Sequence, residues 1–187
     1  MAVQIELLHR VTDEELLALS DRNPGYQIER TSDGRLVVSP TSSRGGRESG
    51  EVFGQLRDWN RRSVLGVVFD SSTGFTLPDG SCRSPDASWV QRDRWTALTQ
   101  EQQDSYAPLC PDAVFEVRSG TDSLTELQAK MEMYKANGAR IGVLIDPQSR
   151  VALVYRPGQP VERHADRVPL DPELPGFVLE LAPVCDD

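Results

Sequence analysis

Histidine and cysteine are scarce in this 187-residue chain. His9 and His164 stand near opposite ends, so a multi-histidine zinc centre and an HExxH protease helix are excluded by counting. Cys82, Cys110 and Cys185 are odd in number and lack CxxC spacing, which argues against a disulfide framework and a thiolate metal site and makes a reducing, cytoplasmic compartment the expectation. Nucleotide-binding glycine loops are missing as well: there is no GxxxxGKS/T, no GxGxxG after a strand, and no GxSxG elbow for a serine nucleophile. Uninterrupted apolar runs such as Ile141 to Ile145 fall far short of the ~18–20 residues of a membrane span. The N-terminal residues lack the basic and apolar segments of a signal peptide. Lysine is the rarest charged residue: of 20 Lys and Arg, only Lys130 and Lys135 are lysine. Where a lysine does occur, its position is therefore informative.

What is present suffices for a core. The chain is 38% hydrophobic and 26% charged, and its length suits one domain of the usual ~100–200 residues, so residues 1–187 are read as a single domain. A net charge of -9 opposes the phosphate contacts that dominate non-specific nucleic-acid affinity.

Thr12 with Glu15 forms a capping box before Leu16, Leu17 and Leu19, predicting a helix over 12–21. Residues 26–31 and 35–39 flank Asp33-Gly34 as a hairpin. A polar, glycine-containing loop over 41–46 leads to a longer helix marked by Val52, Phe53, Leu56 and Trp59. Residues 66–70, 74–77 and 86–90 then read as an antiparallel meander. After a short surface helix over 95–103, the strand 112–118 carries a glutamate in its interior. Ser123 caps a helix with a Leu124, Leu127, Met131, Tyr134 stripe, and Asn137-Gly138 ends it. Strands follow at 141–145 and 151–155, and the proline-rich remainder reads as turns wrapping the surface. This order predicts an α/β (α+β) domain with a central mixed β-sheet flanked by helices.

The remaining candidates for chemistry are carboxylates and one lysine. Asp86 opens a strand, Glu116 lies inside another on the face away from Ala113, Phe115 and Val117, and Lys130 lies along the next helix's apolar stripe. Asp86 and Glu116 offer the hard oxygen ligands that Mg²⁺ or Mn²⁺ prefers, and a neighbouring ammonium can orient an attacking water. Glu51, on the earlier helix, is a third acidic candidate. Structural roles compete for each: a turn aspartate for Asp86, an arginine pair for Glu116, a snorkelling stem for Lys130 and a solvated face for Glu51.

The ordered series Ser84-Pro85-Asp86, Cys110-Pro111-Asp112 with Glu116, Lys130-Met131 with Tyr134, Asn137-Gly138 and Ile145-Asp146-Pro147 resembles the Uma-type restriction-endonuclease family of the PD-(D/E)XK nuclease superfamily. The likeness extends to Ser39-Pro40-Thr41 with Glu51 and to Leu174-Pro175-Gly176-Phe177, and so covers nearly the whole chain. It implies a restriction-endonuclease-like core and Mg²⁺-dependent hydrolysis of nucleic acid, with DNA as the expected substrate. Asp86 and Glu116 match the metal-binding acids, Lys130 a lysine migrated to the following helix, and Glu51 the helical glutamate. Arg118 stands where the superfamily's usual lysine would be, and its delocalised fork is a poor substitute for a compact ammonium. Clustered arginines (Arg44 with Arg47; Arg57 with Arg61 and Arg62) are expected to rim the acidic centre, and the strand 151–155 to offer an edge for a homodimer. Two alternatives stay open: a catalytically inactive nuclease-like domain that binds nucleic acid or protein, and an accessory fold acting through a protein partner.

Overall fold

In the computed structural model, which describes residues 2–186, strand β1 (Val3–Ile5) precedes helix α1 (Asp13–Arg22). The capping box forms: the Thr12 hydroxyl accepts from the Glu15 N–H, and the Glu15 carboxylate accepts from the Thr12 N–H. Strands β2 (Tyr26–Arg30) and β3 (Leu36–Pro40) pair around Gly34, whose φ of +90° is the conformation that favours glycine. Helix α2 (Ser43–Ser63) begins inside the stretch that reads as a loop, because the Ser42 hydroxyl caps it by accepting from the Gly45 N–H.

The next strands are β4 (Gly66–Asp70), β5 (Phe75–Thr76), β6 (Cys82–Arg83) and β7 (Ala87–Gln91). They do not form the expected meander. β4 pairs directly with β7, while β5 and β6 join the N-terminal sheet in the order β1-β3-β2-β6-β5. The Phe75 side chain still packs on β4, its ring edge-on to Phe69 at 5.3 Å, but the backbone pairing goes elsewhere: Phe75 and Thr76 pair with Arg83 and Cys82, and Cys82 pairs with Arg30 of β2.

Short helices α3 (Arg92–Thr96) and α4 (Gln100–Gln103) lead into β8 (Ala113–Val117), helix α5 (Leu124–Ala136), β9 (Ile141–Asp146), β10 (Val151–Tyr155) and β11 (Glu162–His164). The main sheet has the order β11-β10-β9-β8-β7-β4, and only β8 and β9, bridged by α5, run parallel. β10 is paired on both sides, by β9 and β11, so it is not the free edge that dimerisation through 151–155 requires. Strands β12 (Arg167–Pro169) and β13 (Val178–Glu180) and helix α6 (Ala182–Cys185) complete the chain.

Both faces of β8 are buried. Ala113, Phe115 and Val117 pack against Val52, Leu56 and Trp59 of α2, while Val114 packs with Met131 and Tyr134 of α5. The C-terminal segment does more than wrap the surface: Leu170, Leu174, Phe177, Leu179 and Val184 are buried in the α2-side core. Each such side chain stabilises by about 1.5–3 kcal/mol, so this segment is part of the domain's foundation.

Candidate active site

The alternation of β8 turns Glu116 to the Val114 side, towards α5. Lys130 extends from α5, just before buried Met131, and its Nζ lies 2.8 Å from Glu116 Oε1. The Tyr134 hydroxyl, one helical turn on, donates to the same oxygen at 3.0 Å. Asp86 immediately precedes β7, the strand paired with β8, and its Oδ2 accepts from the Val117 N–H at 2.7 Å. Three residues predicted from spacing thus line one cleft, two of them in direct contact.

A fourth group joins them unforeseen. Glu29 of β2 is buried, with Oε1 3.0 Å from Lys130 Nζ and accepting from the Ser84 N–H at 2.9 Å, while Oε2 lies 3.1 Å from Arg83 Nη1. The hairpin pattern around it did not single it out. One signal was available: Gln27 and Glu29 alternate with Ile28, so β2 has a polar face that needs a partner inside the protein.

Electrostatics separates the three acids. Burial pushes Asp86 up to about 6, against the opposing Val117 N–H and the Lys130 charge. Burial likewise raises Glu116, with Lys130 opposing and the like charges of Asp86 and Glu29 adding to the rise. Burial acts to raise Glu29 too, but Lys130, Arg83 and the Ser84 N–H together outweigh it and hold Glu29 below the ordinary carboxylate range. For Lys130 burial opposes the charge, but Glu116 and Glu29 prevail and keep the ammonium protonated.

These groups line a cleft of about 1030 Å³ between the N-terminal sheet, the start of α2 and the α5 side of the main sheet. Six carboxylates face it against two cations, Arg83 and Lys130. Neither Asp86 Oδ1 nor Glu116 Oε2 makes a hydrogen bond or ion pair among the described residues, while their partner oxygens are held. Two hard oxygen donors beside solvent fit Mg²⁺ or Mn²⁺, which usually takes one or two carboxylates and completes its shell with water. Among the described residues, no three His, Cys, Asp or Glu side chains stand together as a larger ligand set.

Glu51 is not brought into this group. Gly45 and Ser49 mark the side of α2 that lines the cleft, and at about 100° per residue Glu51 is turned roughly 200° from Ser49. The arginine clusters do not rim the cleft either. Arg47 donates to the Pro183 and Val184 carbonyls, and Arg57 and Arg61 line a separate shallow groove beside β4 together with Arg92. Arg118, at the position where a lysine would be usual, is engaged by Asp146 at 2.9 Å and donates to the Asp122 carbonyl. Asp112 holds the Gln91 N–H and Arg94, away from the cleft. The three cysteines are free thiols, and burial pushes Cys82 and Cys110 up to about 12. Among the described residues no helix is long and apolar enough to cross a membrane.

The fold has a solved counterpart: a crystal structure from Anabaena variabilis described as "a putative nuclease belonging to DUF820" superposes with a TM-score of 0.73 at 20% identity, covering 94% of this chain and 97% of that one. No curated protein matches. The Uma2 family profile, described as "Putative restriction endonuclease", matches residues 13–182. With nearly the whole domain matched, the chain belongs to the Uma2 family.

Proposed function

We propose that this protein is a divalent-cation-dependent endonuclease that hydrolyses nucleic-acid phosphodiester bonds, with DNA as substrate. The observation that carries the reading is the meeting of Lys130 with Glu116 at 2.8 Å, beside Asp86 fixed to the same strand's backbone. Asp86 and Glu116 would hold Mg²⁺ or Mn²⁺, which would supply Lewis acidity and a water of lowered pKa.

The chain's own groups do the positioning. The Val117 N–H fixes the Asp86 carboxylate, and the Tyr134 hydroxyl fixes that of Glu116. Lys130 provides a buried, compact positive charge where the attacking oxygen gains negative charge. Arg118 cannot take this part while Asp146 and the Asp122 carbonyl engage its guanidinium.

The test is calorimetric titration of Mg²⁺ and Mn²⁺ into wild type and Glu116→Ala, followed by cleavage assays on duplex DNA, single-stranded DNA and RNA. Saturable binding in wild type, its loss in the variant and metal-dependent cleavage of duplex DNA are expected. Absence of binding in wild type refutes the reading. Binding without cleavage of any substrate favours the inactive, nucleic-acid-binding alternative.

A further inference from the structure

Lys130 is shared between two carboxylates that come from different sheets. Glu116 belongs to β8 of the main sheet, and Glu29 belongs to β2 of the N-terminal sheet. The ammonium lies 2.8 Å from the first and 3.0 Å from the second, with side-chain exposures of only 6% and 7% for the two acids. Glu29 is fully committed: Oε1 receives the Ser84 N–H and Lys130, and Oε2 receives Arg83. It therefore has no free oxygen for a metal ion, whereas Glu116 does.

A dication at Glu116 and the Lys130 ammonium are like charges drawn to one carboxylate, so in a poorly solvated pocket they compete for it. A lysine held only by Glu116 would be displaced into solvent. Here a second carboxylate is already in hydrogen-bonding contact. We infer that Glu29 is a positioning residue: it retains the Lys130 ammonium at the cleft when Glu116 turns to a divalent cation, and without the cation Lys130 serves as the site's internal counter-ion. This rests on the proposed metal-dependent nuclease reading and adds a role for the N-terminal sheet, which otherwise contributes only a wall of the cleft.

Glu29→Asp tests it, because the variant keeps the charge and shortens the reach by one methylene. With the full-length chain and linear duplex DNA, kcat is expected to fall about 10- to 100-fold, the cost of misplacing a reacting group by about 1 Å. KM and the calorimetric Mn²⁺ affinity are expected to stay within about threefold, as they would not if the variant had simply loosened the fold. A kcat within twofold of wild type overturns the inference. So does a Mn²⁺ affinity that falls in step with kcat, since that would make Glu29 a ligand. A crystal structure of the wild-type chain with Mn²⁺ alone gives a readout independent of turnover: Lys130 Nζ should remain in contact with Glu29 after parting from Glu116. Mn²⁺ bound by Glu29, or Lys130 still on Glu116, overturns the inference with the nuclease reading intact. No Mn²⁺ at Asp86 and Glu116 overturns the nuclease reading, and the inference with it.

Discussion

Helices α2 and α5 cover opposite faces of strand β8, and each carries a residue that sequence spacing nominated for the site. α5 brings its nominee into contact with Glu116, and α2 carries its own away from the cleft. In α5, Lys130 lies between Leu127 and the buried pair Met131 and Tyr134, on the side that faces Glu116. In α2, Val52, Leu56 and Trp59 face the sheet, the cleft is reached from Gly45 and Ser49, and Glu51 lies off both. A helix has room for several faces, and an apolar stripe identifies only the one that packs. The meeting of Lys130 with Glu116 was legible because that contact lies along the packing face. The site-facing side of α2 is marked by glycine and serine, which carry no hydrophobic signal.

Substitutions can break or sharpen this contrast, and the largest effect belongs to the strand between the helices. Glu116→Ala should lower metal-dependent cleavage by more than about 100-fold and abolish saturable Mn²⁺ binding, measured by nicking assay and calorimetry. On α5, Lys130→Ala should cost about 100-fold in kcat, the contribution of a positioned proton-handling or charge-stabilising group, with a smaller effect on Mn²⁺ affinity. Lys135→Ala, five residues along the same helix, should leave turnover within about twofold, because that lysine pairs with Glu132 at 2.7 Å. Equal losses at both lysines would replace the specific contact with general electrostatics.

A pH experiment sharpens the strand side of the comparison. Asp86 is raised from 3.8 to about 6 in the folded protein, so the fold holds this proton more tightly than the unfolded chain does. Its contribution to stability is present below about pH 4 and is lost as the pH rises through 6, amounting to at most about 3 kcal/mol. Urea melts of the metal-free protein at pH 4.5 and 7.5 should show this loss in wild type, and Asp86→Asn should reduce it, leaving the part that comes from Glu116, which burial also raises. Mn²⁺ affinity should run the other way, rising with pH through about 7 as Asp86 and then Glu116 ionise. The smallest effect is expected on α2: Glu51→Ala should leave cleavage within about twofold, and a loss matching that of Lys130→Ala would return Glu51 to the site.

Local signals were legible wherever one side chain answers to its own neighbours along the chain. The capping box at Thr12, the Gly34 hairpin and the Gly138 helix stop formed where their residues indicated. Strand pairing was less legible. The two-residue strand β5 joined the N-terminal sheet through β6, although its Phe75 side chain packs on Phe69 of β4, and β10 gained a partner in β11 that the proline-rich segment did not advertise. Glu29 was missed for a similar reason: it is 101 positions from Lys130, and no periodicity links a hairpin residue to a helix that distant.

The sequence by itself determined the chemistry available: few histidines, no paired cysteines, two lysines, and an acid inside an otherwise apolar strand. It also determined which face of β8 and of α5 that chemistry would occupy, since alternation and helical pitch are local properties of the backbone. Only the tertiary structure decided that a carboxylate from a second sheet would share the lysine, that Arg118 would be taken by Asp146, and that Glu51 would turn away. Those outcomes depend on how sheets and helices dock, and docking is set by the burial of apolar surface far from the charges it brings together.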